Sequence, residues 1–223
     1  GEPLVSGTAF TEVAKFYRPL TALSYSLDYA AWHLDPWGFQ LSNLLLNALV
    51  ASLVVLVLFE LSDRDLTFAC LGGIIFAIHP ILVESVPATD RRQDMLAAVF
   101  LLLSLALFIK HRRSDSSGRL TIGLSLASYA LALAAKEIAV ITLPLVLAQV
   151  FLFSKTKGFR GRIVAALRES SGFIILTAIY LAWRTYILGG IGGYVRMDPL
   201  PFDETLSYAI NVSYNYVTDL LYP

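Results

Sequence analysis

Three short stretches of the sequence gather the side chains best suited to chemistry. Arg18 opens RPLTALSYS. Residues 79–94, HPILVESVPATDRRQD, carry Glu84, Asp90, Arg91, Arg92 and Asp94, and AAKEIAV at 134–140 carries Lys136 and Glu137. Guanidinium forks hold phosphate oxygens through paired hydrogen bonds, and carboxylates such as Glu84 and Asp94 can position or deprotonate an acceptor hydroxyl. Two readings stay open for Arg91 and Arg92: a hydrated loop in which they pair with Asp90 and Asp94, or a phosphate site. Lys136-Glu137 interrupts two apolar runs that would otherwise be one. A charged pair is costly in lipid, so it marks either an exposed turn or a polar cavity.

The elements that must position these residues are apolar. Of 223 residues 57% are hydrophobic and 15% charged, with a mean hydropathy of +0.66. Soluble domains carry about 25% charged residues, so the composition points to a membrane. The 17 basic and 17 acidic residues cancel, which gives no sign of a nucleic-acid partner. Cys70 is the sole cysteine and sits within an apolar run, so no intramolecular disulfide forms. Residues 1–15 have neither the basic start nor the apolar stretch of a signal peptide.

Apolar segments run over about 39–61, 66–83, 93–109, 119–135, 138–153 and 172–189, and a seventh begins near 205. The first matches the ~20 residues that cross a bilayer core, while several others are shorter. If the chain enters the first segment from outside and alternates, the loops at 62–67, 110–119 and 154–170 share one face. They hold ten of the 17 basic residues, so that face is cytoplasmic. Loop 79–94, Lys136-Glu137 and Arg18 then lie on the opposite face.

Ahead of the first segment, Pro19 suits a helix start, and Leu20, Leu23, Leu27, Ala30 and Leu34 recur at helical spacing. With Tyr25, Tyr29 and Trp32 beside them, this reads as a helix along the outer interface that turns inward at Asp35-Pro36. The expected architecture is an all-α, polytopic membrane helix bundle of about six to seven transmembrane segments. Residues 1–38 form an outer loop with the interfacial helix, and residues 39–223 form the bundle. His79-Pro80 ends a helix, because proline restricts the residue before it. Arg184 falls inside a span, where it faces the bundle or snorkels outward. GGIGGY at 189–194 lacks nucleotide-loop spacing and reads as an outer loop, and Asn211-Val212-Ser213 fits a glycosylation sequon. No H-E-x-x-H, CxxC or nucleophile elbow is present, so the sequence offers no metal or cofactor site.

Four stretches in series carry a resemblance: YRPLTALSYSLDYAAWHLDPWGFQLSNLLLNALVA, FAIHPILVESVPATDRRQDMLAAVF, LAAKEIAVITLPLVL and YLAWRTYILGGIGGY. Together they resemble the polytopic O-mannosyltransferases that carry tetratricopeptide repeats, and more broadly the GT-C glycosyltransferases, including the protein mannosyltransferases. The resemblance implies transfer of a sugar, usually mannose, from a polyprenyl-phosphate carrier to a serine or threonine hydroxyl on the lumenal or periplasmic side. It matches Arg18, Arg91, Arg92 and Lys136 to basic positions near the lipid phosphate of the donor, and Asp94 and Glu137 to neighbouring acids with a catalytic part. Membrane lipid, a lipid-linked sugar and a protein acceptor are the implied partners. The membrane is the bacterial inner membrane or the endoplasmic reticulum.

The family's acidic outer-loop motif precedes its RPLT-like segment, and residues 1–17 offer Glu2 and Glu12 without such a motif. The main base is therefore expected outside the chain. With Gly1 in place of an initiator methionine and Pro223 interrupting the helical pattern NVSYNYVTDLLYP, both ends read as cut from a longer protein. A second reading stands beside the first: a non-catalytic transmembrane accessory subunit that keeps the fold and packs in a larger bioenergetic or photosynthetic membrane complex.

Overall fold

The computed structural model describes residues 18–79, 91–113 and 118–188, which are helical with no β-strand among them. In chain order the helices are α1 (Pro19–Trp32), α2 (Pro36–Leu61), α3 (Leu66–Ile78), α4 (Arg92–Arg113), α5 (Arg119–Ala135), α6 (Thr142–Phe153), α7 (Phe159–Glu169) and α8 (Ser171–Leu188). A 3₁₀ turn, Glu137–Ile141, joins α5 to α6. The chain is all-α, and two of these helices, Pro36–Leu61 and Arg92–Arg113, are long and apolar enough to cross a membrane. The pair α7 and α8, bent by 58°, would make a third if taken as one span, and shorter apolar helices make up the rest. The protein is an integral membrane protein.

Local chemistry sets the helix limits. Pro19 and Pro36 each occupy the first turn, where a missing N–H costs nothing. Asp35 caps α2 by accepting from the Trp37 amide at 3.0 Å, and Asp65 caps α3 through the Phe68 amide at 3.0 Å. The α1–α2 corner passes through His33 at a φ of 53°. Gly38 lets that corner close: a Cβ there would lie 2.2 Å from the Trp32 ring. α3 stops at His79, whose extended backbone is what a following proline requires. The expected segments at 39–61, 93–109 and 119–135 are helical, 138–153 holds the 3₁₀ turn and α6, and 172–189 is helical over its described residues, to Leu188. The stretch 154–170, expected to be a loop, instead contains α7.

The chain divides into two compact units, one over Arg18–Tyr180 and the other over 1–17 and 181–223. Within the first, α4 is central and packs on α2, α5 and α6, while α3 leans on α2 and α7 on α6. Phe108, Tyr129, Val146, Val150 and Phe173 form its core, with the Phe173 ring 5.4 Å from both Phe108 and Tyr129. Ser104 and Ser125 exchange hydroxyl-to-carbonyl hydrogen bonds at 2.8 and 2.7 Å between α4 and α5. In the second unit the described residues are the end of α8, where the Trp183 and Tyr186 rings lie 6.3 Å apart.

The surface of the first unit is inverted relative to a soluble protein. α3 buries only Ala69 and Gly73 and exposes Leu66, Phe68, Leu71, Ile74, Ile75 and Ile78. α1 likewise exposes Leu23 and Leu27 and buries Thr21. An exposed apolar surface of this extent suits lipid contact rather than water.

Candidate functional site

The pairings that cross between helices put two polar ends on the first unit. α2 and α4 run in the same direction: Phe39 and Asn43 reach Arg92 at one end, and Glu60 and Asp63 reach Arg113 at the other. α5 runs back, bringing Lys136 to Asp94. The helix starts of α2 and α4, the end of α5 and the side of α1 that carries Thr21 and Asp28 thus converge. Arg18, Arg92, Asp94, Lys136 and Glu137, far apart in sequence, all belong to this end.

Arg18 binds Glu137 through two parallel hydrogen bonds, Nε to Oε2 at 3.2 Å and Nη2 to Oε1 at 2.8 Å. This is the bidentate geometry that makes an arginine–carboxylate pair specific. The adjacent Lys136 pairs with Asp94 in the first turn of α4, where a negative charge also favours the helix dipole. Lys136 has an extended backbone that stops α5, and Glu137 begins the 3₁₀ turn, so the two side chains of this pair go to different partners. All four side chains keep partial exposure, so the two ion pairs border solvent-accessible space. Thr21 fastens α1 beside them by donating to the Ala135 carbonyl at 3.0 Å.

Arg92 lies beneath. Only 1% of its side chain is exposed, and its Nη1 contacts Asp28 Oδ2 at 2.5 Å, an ion-pair contact without hydrogen-bond alignment. Nε donates to Asn43 Oδ1 at 2.9 Å and Nη2 to the Phe39 carbonyl at 3.0 Å, and the guanidinium lies 4.8 Å from the Tyr25 ring centroid. Asp28 in turn accepts from Ser42 at 2.9 Å. Arg92 therefore ties α1, α2 and α4 together through buried contacts. Arg91 is exposed at the start of α4.

The sequence reading did not single out Asp28 or Asn43. The signal was there: a carboxylate within an apolar-periodic helix and an amide within a span both need polar partners. Glu84, Asp90, Glu2, Glu12, the GGIGGY stretch, the sequon at Asn211 and the segment near 205 lie outside the described residues. No group of three or more potential metal ligands occurs among the described residues.

The outer end can do two things chemically. Its paired cations can exchange a carboxylate for a phosphate, since both present oxygens to the same donors. Its carboxylates, once released, can accept a proton.

Comparison with known proteins adds an independent line. No family model matches the chain, and no solved structure matches it. A protein O-mannosyl-transferase of Xenopus laevis, tmtc2, is 32% identical over 202 residues, covering 86% of this chain and 23% of the relative. The Drosophila melanogaster protein O-mannosyl-transferase Tmtc2 is 35% identical over 78% of this chain and 19% of its own length. The human protein O-mannosyl-transferase TMTC2 is 43% identical over 44% of this chain and 12% of its own length. The chain is thus a sequence relative of the protein O-mannosyl-transferases, and it spans about a quarter of their length or less.

Proposed function

We propose that this chain is the membrane portion of a glycosyltransferase that moves a sugar, mannose by its relatives' names, from a polyprenyl-phosphate carrier to a serine or threonine hydroxyl. The observation that carries the proposal is the paired arrangement Arg18–Glu137 and Lys136–Asp94 at one partly open polar end. The polar end would face the lumenal or periplasmic side, with the lysine- and arginine-rich end toward the cytoplasm.

In the proposed reaction the acceptor oxygen bonds to the anomeric carbon while the bond from that carbon to the phosphate oxygen breaks. The hydroxyl proton passes to a carboxylate, for which Asp94 and Glu137 are the candidates within this chain. The carrier phosphate leaves with an added negative charge, which Arg18 and Lys136 stabilise. Arg91 adds positive charge at the α4 start. Arg92, enclosed by its own contacts, serves by holding α1 against α2 and α4.

A second reading rests on the same pairs. Each cation is already matched by an acid, and closed ion pairs can join helices without chemistry, as in a non-catalytic accessory subunit. Donor binding separates the two. Full-length protein in nanodiscs, titrated with polyprenyl-phosphate mannose and followed by native mass spectrometry, should retain the donor. Arg18→Ala and Lys136→Ala should each weaken retention by about tenfold. No retention by the unmodified protein, or equal retention by both variants, would reject the transferase reading.

A further inference from the structure

The opposite, basic end of the first unit holds a cleft of about 820 Å³ whose lining includes Glu60, His111, Arg112, Arg113, Phe153 and Lys155. Two of these cations are already satisfied. Arg112 donates to Glu169 at 2.7 Å and to the Gln149 side chain at 2.8 Å, and Arg113 donates to Asp63 at 2.9 Å and to the Glu60 carbonyl.

Three polar groups remain open. Glu60 is 7% exposed and its Oε2 has no hydrogen-bond partner, although it lines the cleft. His111 Nδ1 is also buried without a partner, and the exposed Lys155 forms no ion pair among the described residues. A buried carboxylate oxygen with no donor is costly, so it calls for a cation or a strong hydrogen-bond donor. Lys155 calls for an anion. A simple phosphate would meet Glu60 as a like charge, and a simple amine would leave Lys155 unmatched.

A group bearing both an ammonium and a phosphate answers both. The cleft's position identifies the source. It lies where α2 and α4, the two helices of membrane-spanning length, both end, and Phe153 at the end of α6 is an exposed aromatic on its wall. That is headgroup depth.

We propose that this cleft binds the headgroup of phosphatidylethanolamine, its ammonium on Glu60 Oε2 and its phosphate on Lys155 and His111. The site is separate from the charge pairs at the other end and does not depend on the transferase reading.

The test is native mass spectrometry of the detergent-purified full-length protein, titrated in parallel with phosphatidylethanolamine and phosphatidylglycerol. The site predicts preference for phosphatidylethanolamine by about tenfold. Glu60→Gln, which preserves shape, should remove the preference, and Lys155→Ala, at an exposed position, should weaken binding of both lipids by about tenfold, each with the helical circular dichroism unchanged. If Glu60→Gln fails to fold, Lys155→Ala decides alone. Equal binding of the two lipids by the wild type, a preference surviving Glu60→Gln, or phosphatidylethanolamine binding unchanged by Lys155→Ala overturns the proposal. Free phosphoethanolamine displacing the lipid at equal concentration would overturn the lipid assignment in favour of a soluble ligand.

Discussion

Arg92 and Asp28 meet at 2.5 Å with 1% and 13% of their side chains exposed, joining the start of α4 to the middle of α1. A cation at a helix start opposes the helix dipole, so Arg92 is held there by its partners and not by α4 itself. Removing one member of such a pair leaves the other charge uncompensated. Arg92→Ala should destabilise the protein by about 3–5 kcal/mol, read as a fall in the detergent melting temperature. A double-mutant cycle with Asp28→Asn should show coupling between the sites, and additive effects would refute the pairing.

The pair Arg18–Glu137 should behave differently. Its side chains are 15% and 28% exposed, and partly hydrated pairs contribute little to stability. Glu137→Gln should therefore cost under about 1 kcal/mol, and thermal unfolding in detergent measures it. A loss as large as that of Arg92→Ala would make the pair a structural clamp.

Ser104 and Ser125, both fully buried, each donate to the other's backbone carbonyl across α4 and α5. Small hydroxyl residues let helices in lipid approach closely, with hydrogen bonds worth about 0.6–1.7 kcal/mol. Ser104→Ala should cost that much in unfolding measurements. Ser104→Leu should cost clearly more by pushing the helices apart.

Gly73 is the contact point of α3 with α2: a Cβ there would lie 2.2 Å from Val55 Cγ2. Valine is stiff at χ1, so it cannot simply turn away. Gly73→Ala should destabilise by about 1–3 kcal/mol. The same measurement on Gly123→Ala, whose Cβ would meet nothing within 4 Å, should show no loss from steric clash.

Much of this architecture was legible because it is local. Pro19, Asp35-Pro36, His79-Pro80 and Lys136-Glu137 mark helix limits through backbone chemistry that needs no tertiary context. The apolar stripe of α1 was legible as well, though Leu23 and Leu27 turn out to face outward while Thr21 is buried. Periodicity gives a stripe but not which solvent it meets. α7 escaped notice because Lys155, Lys157, Arg160 and Arg162 crowd the start of the segment, and charge density masked its helical spacing. The pairings Arg92–Asp28 and Arg112–Glu169 connect distant segments, and no local pattern encodes a partner across the bundle. Glu60 went unmarked for the same reason: its place on the cleft wall depends on α4 and α6, which are distant in sequence.

Sugar transfer tests the central claim most directly. Full-length protein, wild type and Lys136→Ala, would be given polyprenyl-phosphate mannose and a serine/threonine-rich acceptor peptide, with mannosylated peptide quantified by mass spectrometry. The account predicts transfer by the wild type and a loss of about 10²–10³ in rate for Lys136→Ala at unchanged abundance. Transfer at the wild-type rate by that variant would contradict it.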